Sequence, residues 1–336
     1  MATDEPDLGK FYDAVTSYQR TAAIKAAIEL DVFSAIGAGA RTAAAIAARC
    51  GAAERGIRAL CNRLVADGFL AREGDGWTLT PTAALFLDRT SQVYMGSVVT
   101  FLTAPTIMQA FGTLAEAVRR GGTAVSEEGT LSNDHPVWVE FARAMAGSAR
   151  MMAALMVNVL QASSAPAWKV LDVAAGHGMF GIVVALENPK AEIVALDWPN
   201  VLTVARENAE AAGVAARFRT LPGSAFEVAW GTAYDLVLLP NFLHHFDVPT
   251  CETILRRAHA ALKPGGRVVI VEFVPDEDRT GPPEALSFSL VMLASTPAGD
   301  AYTFAEYGRM LRASGFADAS LTDLTPSPAR VVVARR

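Results

Sequence analysis

Hydrophobic positions along the chain change their period as it proceeds. Between about residues 8 and 67 apolar side chains recur every three or four positions, the period of helices over 11–28, 42–48 and 53–67; in the last, Ile57, Leu60, Leu64 and Val65 make one face. Gly68 ends that helix. Two short runs, 69–72 and 77–80, flank the turn Glu73-Gly74-Asp75-Gly76, so a hairpin follows and completes the outline of a winged helix-turn-helix. Residues 91–165 return to helical spacing, with a break at Gly121-Gly122 and a polar loop at Asp134-His135-Pro136. Ser163-Ser164-Ala165-Pro166 then reads as a linker.

Beyond it, short Val/Leu/Ile runs alternate with helical segments, the pattern of a mostly parallel sheet with helices on its faces. A strand over 170–173 closes in Ala174-Ala175-Gly176-His177-Gly178, and a helix over 179–187 stops at Asn188-Pro189. The strand 192–196 ends at Asp197. A helix over 201–212 and strands over 216–221 and 236–239 follow. Next come a helix over 250–262, a strand over 267–273, and a helix over 304–313 that Thr303 and Glu306 cap as a capping box; 331–333 supplies a last strand. The expected organisation is a mainly helical winged-helix unit (1–92), a helical linker or lid region (93–165) and an α/β unit (166–336).

In a right-handed β-α-β unit both strand tips face one edge of the sheet. A ligand lying over Gly176 and Gly178 can therefore place ribose hydroxyls on Asp197. Gly176, Gly178 and Gly181 also spell G-x-G-x-x-G, which by itself serves a dinucleotide equally well. Trp138, Phe141, Met145, Met151, Met152 and Met156 form a stripe that suits either a core or an adaptable pocket for flat, apolar ligands; Phe141 and Met145 are its candidates for substrate contact.

Composition narrows the partners. The 336 residues are 51% hydrophobic and 19% charged, enough to bury a sizeable core, and the formal charge of −6 gives no general attraction to nucleic acid. Arg49, Arg55, Arg58 and Arg63 lie near the would-be recognition helix, but Glu54, Asp67, Glu73, Asp75 and Asp88 nearly balance them, against DNA binding. The apolar surplus of 8–36 suits a partner subunit instead. Cys50, Cys61 and Cys251 have neither disulfide-framework nor metal-site spacing, and the acidic amino terminus, MATDEPDLGKFYD, has no apolar signal core. No segment is an uninterrupted apolar span of membrane length, and the cytoplasm is the expected location.

LDVAAGHG, the acid in ALDWPNV, PGSAF, YDLVLLPNFLHHF and LKPGGRVVIVEF, in this order and spacing, resemble class I S-adenosylmethionine-dependent methyltransferases. With the winged-helix unit and MLASTPAGDAYTFAEY added, nearly the whole chain is similar to the small-molecule O-methyltransferases, plant caffeate-type and bacterial natural-product enzymes among them. The resemblance implies a homodimer with intertwined amino-terminal domains, a Rossmann-like seven-stranded sheet holding S-adenosylmethionine, and a small-molecule acceptor. It sets Ala174, Gly176 and Gly178 at the methionine part, Asp197 at the ribose, and Ser224, Ala225 and Phe226 about the adenine, with Trp198, Gly223, Asn241 and Phe246 completing the cofactor contacts. His244 becomes the general base, Glu272 the carboxylate that orients it, and Met292 a wedge on the acceptor ring.

The chemistry agrees. Methyl transfer to a hydroxyl needs an aligned acceptor and removal of its proton, which an imidazole held by a carboxylate performs. His245 is expected only to cap the loop, because consecutive side chains point apart. The chain departs from the family at four places. Ala174 replaces a glycine, which suits a negative φ; Ser224 replaces an acid; Pro240 replaces a lysine; and Ala301 falls where a second carboxylate flanks the base, with Asp300 adjacent. A C- or N-methyl acceptor, or a member that binds the cofactor without using its methyl group, remains compatible with these changes; a DNA-binding regulator and an NAD-type oxidoreductase are the more distant readings.

Overall fold

The computed structural model describes residues 6–126 and 137–336. Residues 1–5 of the acidic amino terminus and the loop at Asp134-His135-Pro136 lie outside the described residues. The chain divides into two compact units, Met1–Thr103 and Ala104–Arg336.

The first unit holds α1 (Leu8–Glu29), α2 (Val32–Gly37), α3 (Ala43–Cys50), α4 (Glu54–Ala66), the antiparallel hairpin β1 (Leu70–Glu73) and β2 (Gly76–Leu79), α5 (Pro81–Phe86) and α6 (Gly96–Leu102). Side-chain caps start three of the helices: Asp7 accepts from the backbone of Gly9 and Lys10 at α1, Thr42 caps α3 and Thr80 caps α5. Phe33, Ile36, Ile46, Ile57, Leu64, Leu70 and Trp77 fill the core, and the Trp77 N–H donates to Arg41 O at 2.9 Å, tying the wing to the strap before α3. α1 is the exception. Only Ala27 and Ile28 of its 22 residues are buried, while Leu8, Phe11, Tyr12, Val15 and Tyr18 are each more than half exposed. Five large apolar residues left in water forgo roughly 1.5–3 kcal/mol of burial apiece, the signature of a face made for a partner.

The second unit begins with α7 (Pro105–Gly112), α8 (Leu114–Arg120) and α9 (Val137–Leu160). The αβ alternation follows: β3 (Lys169–Val173), α10 (Met179–Glu187), β4 (Glu192–Asp197), α11 (Val201–Ala211), β5 (Phe218–Pro222), β6 (Tyr234–Pro240), α12 (Val248–Ala261) and β7 (Leu262–Glu272). It closes with α13 (Pro283–Ser295), α14 (Phe304–Ala313), β8 (Ala317–Asp323) and β9 (Arg330–Arg335). The strands form one seven-stranded sheet in the order β5-β4-β3-β6-β7-β9-β8, parallel except for β9, which runs antiparallel to both neighbours.

Strand alternation sorts the core into two layers. Val170, Leu236, Leu238, Val269 and Val271 face one layer with α9, α10 and α11, whereas Leu171, Val173, Val237, Leu239, Val268 and Ile270 face the other with α12 and α14. Residues buried on both faces explain why these strands read as unbroken apolar runs. β7 starts earlier than the pattern implies: Lys263-Pro264-Gly265-Gly266 is an irregularity within it, across which pairing with β6 jumps from Tyr234–Leu262 to Leu236–Arg267. The Met and aromatic stripe of α9 divides in two. Met152 and Met156 are buried in the sheet's core, while Phe141 and Met145, near the start of the helix, stay half-buried.

Candidate active site

Strands β3, β4, β5, β6 and β7 deliver their carboxyl ends to one edge. The strand order reverses there between β3 and β6, the switch point at which α/β sheets receive ligands.

On the β3–β4 side the turn is held by backbone. Ala175 N–H donates to Leu196 O at 3.0 Å and Gly178 N–H to Ala175 O at 2.7 Å. Gly178 starts α10 at φ +72°, where a Cβ would come within 3.0 Å of both Ala205 and Phe218; one turn on, a Cβ at Gly181 would sit 2.6 Å from Ile193 Cγ2. One glycine makes the turn and the other lets helix and strand close together. Ala174 does not take the negative φ expected of it. It sits at +51°, in the left-handed region, because the strand must reverse direction at once to send the next peptide back beneath Leu196.

Asp197, at the tip of β4, accepts from Gly176 N–H through Oδ2 and from Trp198 N–H through Oδ1, both at 2.7 Å. Burial pushes its carboxyl up to about 6, against the pull of the two bonds. Two backbone donors leave lone pairs free on a carboxylate. Sequence reasoning missed Asp172 below the turn. It is fully buried, accepts from Gly181 N–H at 3.0 Å, and burial pushes it up to about 8. Its position inside an apolar strand was the available signal.

The loop after β5 is tied by its own serine. Ser224 Oγ accepts from Phe226 N–H at 3.2 Å, and Ser224 O accepts from the backbone of Glu227 and Val228, so this serine caps a turn. Gly223, at φ +132°, donates to Asp197 O at 2.9 Å and joins the two tips. Ala225 is buried and accepts from Trp230 Nε1. Phe226, partly exposed, meets Phe246 edge to face at 5.3 Å, and Phe246 meets Phe242 at 5.2 Å. Asn241 takes φ +50° just past β6; its N–H donates to Val271 O at 2.8 Å, and its Oδ1 is buried with no partner among the described residues.

At the β6–β7 end a single 3-10 turn, Leu243–His245, carries both histidines. His244 and Glu272 are almost wholly buried, and His244 Nδ1 lies 2.6 Å from Glu272 Oε2. Glu272 Oε1 accepts from Phe242 N–H at 3.0 Å and His244 N–H at 3.5 Å, so the carboxylate holds the turn as well as the ring. Burial pushes the Glu272 carboxyl well above and the His244 imidazole well below their ordinary values.

His245 does not point away. Both rings turn toward each other from the same short turn. The two imidazoles are 4.2 Å apart by ring centroids, with Nε2 to Nε2 at 3.2 Å.

Around these rings stand Trp138 and Phe288, neither of which the sequence singled out for the site. The Trp138 and His245 rings lie near-perpendicular with centroids 5.3 Å apart, and those of Phe288 and His244 likewise at 4.7 Å. Phe288 precedes the buried Met292 by one turn of α13, so both share a face; that four-residue spacing was the signal for it. Phe141 stacks on His177 at 6.4 Å, and burial pushes this second unforeseen imidazole down to about 4. Asp300 is not brought to the dyad. Its carboxylate accepts from Ser289 Oγ at 2.5 Å and Ala301 N–H at 2.8 Å and pairs with Arg279 at 3.5 Å, because the Arg279 guanidinium bridges it to Glu306.

A doubly wound sheet with a glycine turn, an acid at the next strand tip and a buried imidazole–carboxylate pair across the switch point defines a nucleotide-cofactor enzyme. The chain belongs to the O-methyltransferase family: the O-methyltransferase domain matches residues 111–317 and the O-methyltransferase dimerisation domain residues 12–89. It is 49% identical to a solved Nostoc punctiforme protein described as a candidate O-methyltransferase, with a TM-score of 0.92 over 99% of this chain and 100% of that one. It is 29% identical to 3-hydroxy-5-methyl-1-naphthoate 3-O-methyltransferase of Streptomyces sahachiroi, over 96% of this chain and 93% of that enzyme. Human N-acetylserotonin methyltransferase, solved with S-adenosylmethionine, shares the fold at a TM-score of 0.85 and 24% identity, over 100% and 99% of the two chains.

Proposed function

We propose that the chain methylates a hydroxyl of a small aromatic or polyketide-like molecule from S-adenosylmethionine, as a homodimer, with His244 as general base. The observation that carries this reading is the buried 2.6 Å contact of His244 Nδ1 with Glu272 Oε2. A carboxylate on Nδ1 fixes the tautomer, leaves Nε2 with the lone pair and stabilises the imidazolium formed when the hydroxyl proton arrives. The naphthoate acceptor of the Streptomyces relative and the half-buried Phe141 and Met145 support a flat, apolar ring.

The edge fits the cofactor. Asp197 retains lone pairs for ribose hydroxyls, Ala174, Gly176 and Gly178 bring backbone close to a methionine moiety, and Asn241 Oδ1 is a buried acceptor with no partner among the described residues. Trp198, Gly223, Ser224, Ala225, Phe226 and Phe246 border the base. When bound, S-adenosylmethionine supplies the methyl group: the O–C bond forms as the S–C bond breaks, leaving a neutral thioether. The chain's own part is to orient the ring between Phe288, Met292 and Trp138, exclude water and hold the proton on His244.

Changing His244 to Ala should lower kcat about 10²–10⁴-fold, measured with labelled cofactor and a panel of naphthols; full activity would remove the histidine from the mechanism. The dimerisation domain and the exposed apolar face of α1 support the homodimer. Sedimentation should give a dimer for the wild type and a shift toward monomer for a Phe11→Asp, Tyr18→Asp variant; unchanged sedimentation would move the interface elsewhere. Three unpaired cysteines support a cytoplasmic location, and no helix among the described residues is long and apolar enough to cross a membrane.

A further inference from the structure

The mechanism above uses His244 and leaves His245 without a task. Between two imidazoles, a 3.2 Å Nε2–Nε2 contact is a hydrogen bond with one proton. If His244 Nδ1 donates to Glu272, a competent base has a bare Nε2, so His245 Nε2 carries the hydrogen and donates it. The Nδ1 of His245 is then a bare lone pair, and that atom is buried with no partner among the described residues. The opposite arrangement would bury an Nδ1–H with no acceptor, and it would put a proton on the nitrogen that must receive one.

An acceptor hydroxyl can reach the single lone pair of His244 Nε2 only by displacing His245 from it. The His245 N–H then needs another acceptor. Its ring neighbours besides His244 among the described residues are Trp138 and Phe246, at centroid distances of 5.3 and 6.1 Å, and neither ring offers an in-plane lone pair. Leaving a desolvated donor unmade carries a larger penalty than the net gain of an ordinary hydrogen bond.

We propose that His245 is a specificity residue: its Nε2–H binds an oxygen on the ring atom next to the methylated hydroxyl, so the site selects acceptors with two adjacent oxygens, hydroxyl beside hydroxyl or hydroxyl beside carbonyl. The spacing agrees. Adjacent ring oxygens stand at roughly the 2.7–2.8 Å of an O–H···O contact, close to the 3.2 Å between the two nitrogens that would face them. A ring with a lone hydroxyl satisfies His244 and strands His245. A pocket built to pair a polar group discriminates against the analogue lacking it more strongly than an apolar pocket does. The proposal rests on the reading of His244 as the base.

The test compares 2,3-dihydroxynaphthalene with 2-naphthol on the full-length protein loaded with S-adenosylhomocysteine, by calorimetry, and then both as methyl acceptors with S-adenosylmethionine. The wild type should bind and turn over the diol better by about tenfold or more. His245→Phe should bring that ratio below about threefold, and His245→Gln, which keeps an N–H donor, should fall between. Thermal melts establish that both variants are folded, and the side-chain ¹⁵N resonance of His245 should move when the diol is added and not when 2-naphthol is. A wild type that does not discriminate, including one that binds neither ring, or a His245→Phe variant that keeps the wild-type ratio, overturns the proposal. If binding follows the expected ratios while neither ring is methylated, the reaction assigned to His244 fails and the role of His245 stands.

Discussion

Two carboxylates close two strands of the same sheet, and they are used differently. Asp197, at the tip of β4, accepts two backbone N–H groups and keeps lone pairs to spare, in a residue that stays partly exposed. Glu272, at the tip of β7, accepts two backbone N–H groups and also an imidazole, and it is closed off from water. Burial raises the pKa of both carboxyls. On the proposed function, one is a carboxylate kept open for a ligand and the other a carboxylate consumed by the protein so that a neighbour can act. The contrast teaches that a strand-tip acid becomes a binding group or an orienting group according to what fills its remaining lone pairs.

Glu272 is where breaking the contrast should have the largest effect. Replacement by Ala strands the N–H groups of Phe242 and His244 together with the ring, and should cost on the order of 3 kcal/mol of stability as well as kcat. Glu272→Gln is sharper. Its amide can still accept from the backbone but turns an N–H toward Nδ1, forcing the His244 proton onto Nε2 and removing the base; kcat should fall about 10²–10⁴-fold with the melting temperature nearly kept. A Gln variant within tenfold of wild type would refute the orienting role.

Asp197→Asn comes next. It keeps the shape and loses the charge, so S-adenosylhomocysteine should bind about 10- to 100-fold more weakly by calorimetry, while kcat at saturating cofactor changes little. Equal affinity would take Asp197 out of the cofactor site.

The smallest effect concerns pH. Asp172 is raised from 3.8 to about 8, so the stability linked to its protonation is complete below about 4 and is lost as pH rises toward 8. His177, lowered from 6.5 to about 4, acts oppositely, with stability lost as pH falls below 6.5, and contributes nothing above that. Between pH 6.5 and 8 urea midpoints should therefore decline, with Asp172 and Glu272 both contributing and Asp172 supplying at most about 1.4 kcal/mol per pH unit, and Asp172→Asn should make the slope shallower. A wild-type midpoint that holds steady or rises across that window would contradict the buried-acid assignment.

Much of this was legible in the sequence because it depends on local chemistry. Unbroken apolar runs along β3, β6 and β7 announced strands buried on both faces, Gly176 and Gly178 announced a tight turn, and Thr303 with Glu306 formed the capping box they spell. The pairing of His244 with Glu272 was legible only through resemblance, since 28 residues separate them. What stayed hidden was set by geometry between distant segments. His244 and His245 meet within a short turn where a loop was expected, the capture of Asp300 follows from Arg279 at 22 positions' remove from Ala301, and the strained φ of Ala174 from the reversal the chain must make beneath Leu196. Ser224, expected beside the adenine in place of an acid, also caps a turn, a role written in backbone donors that no side-chain pattern displays.

The place of β9 carries a consequence for how the protein is made. Residues 330–335 pair on one side with β7 and on the other with β8, with Val331 and Val332 fully buried between them. During synthesis, therefore, β8 has no strand to dock against until the segment that follows it has left the ribosome. The winged-helix unit, whose contacts are nearer in sequence, can be complete long before. For that interval the nascent chain carries a finished dimerisation domain together with an unfinished catalytic sheet, whose β8 still waits for β9.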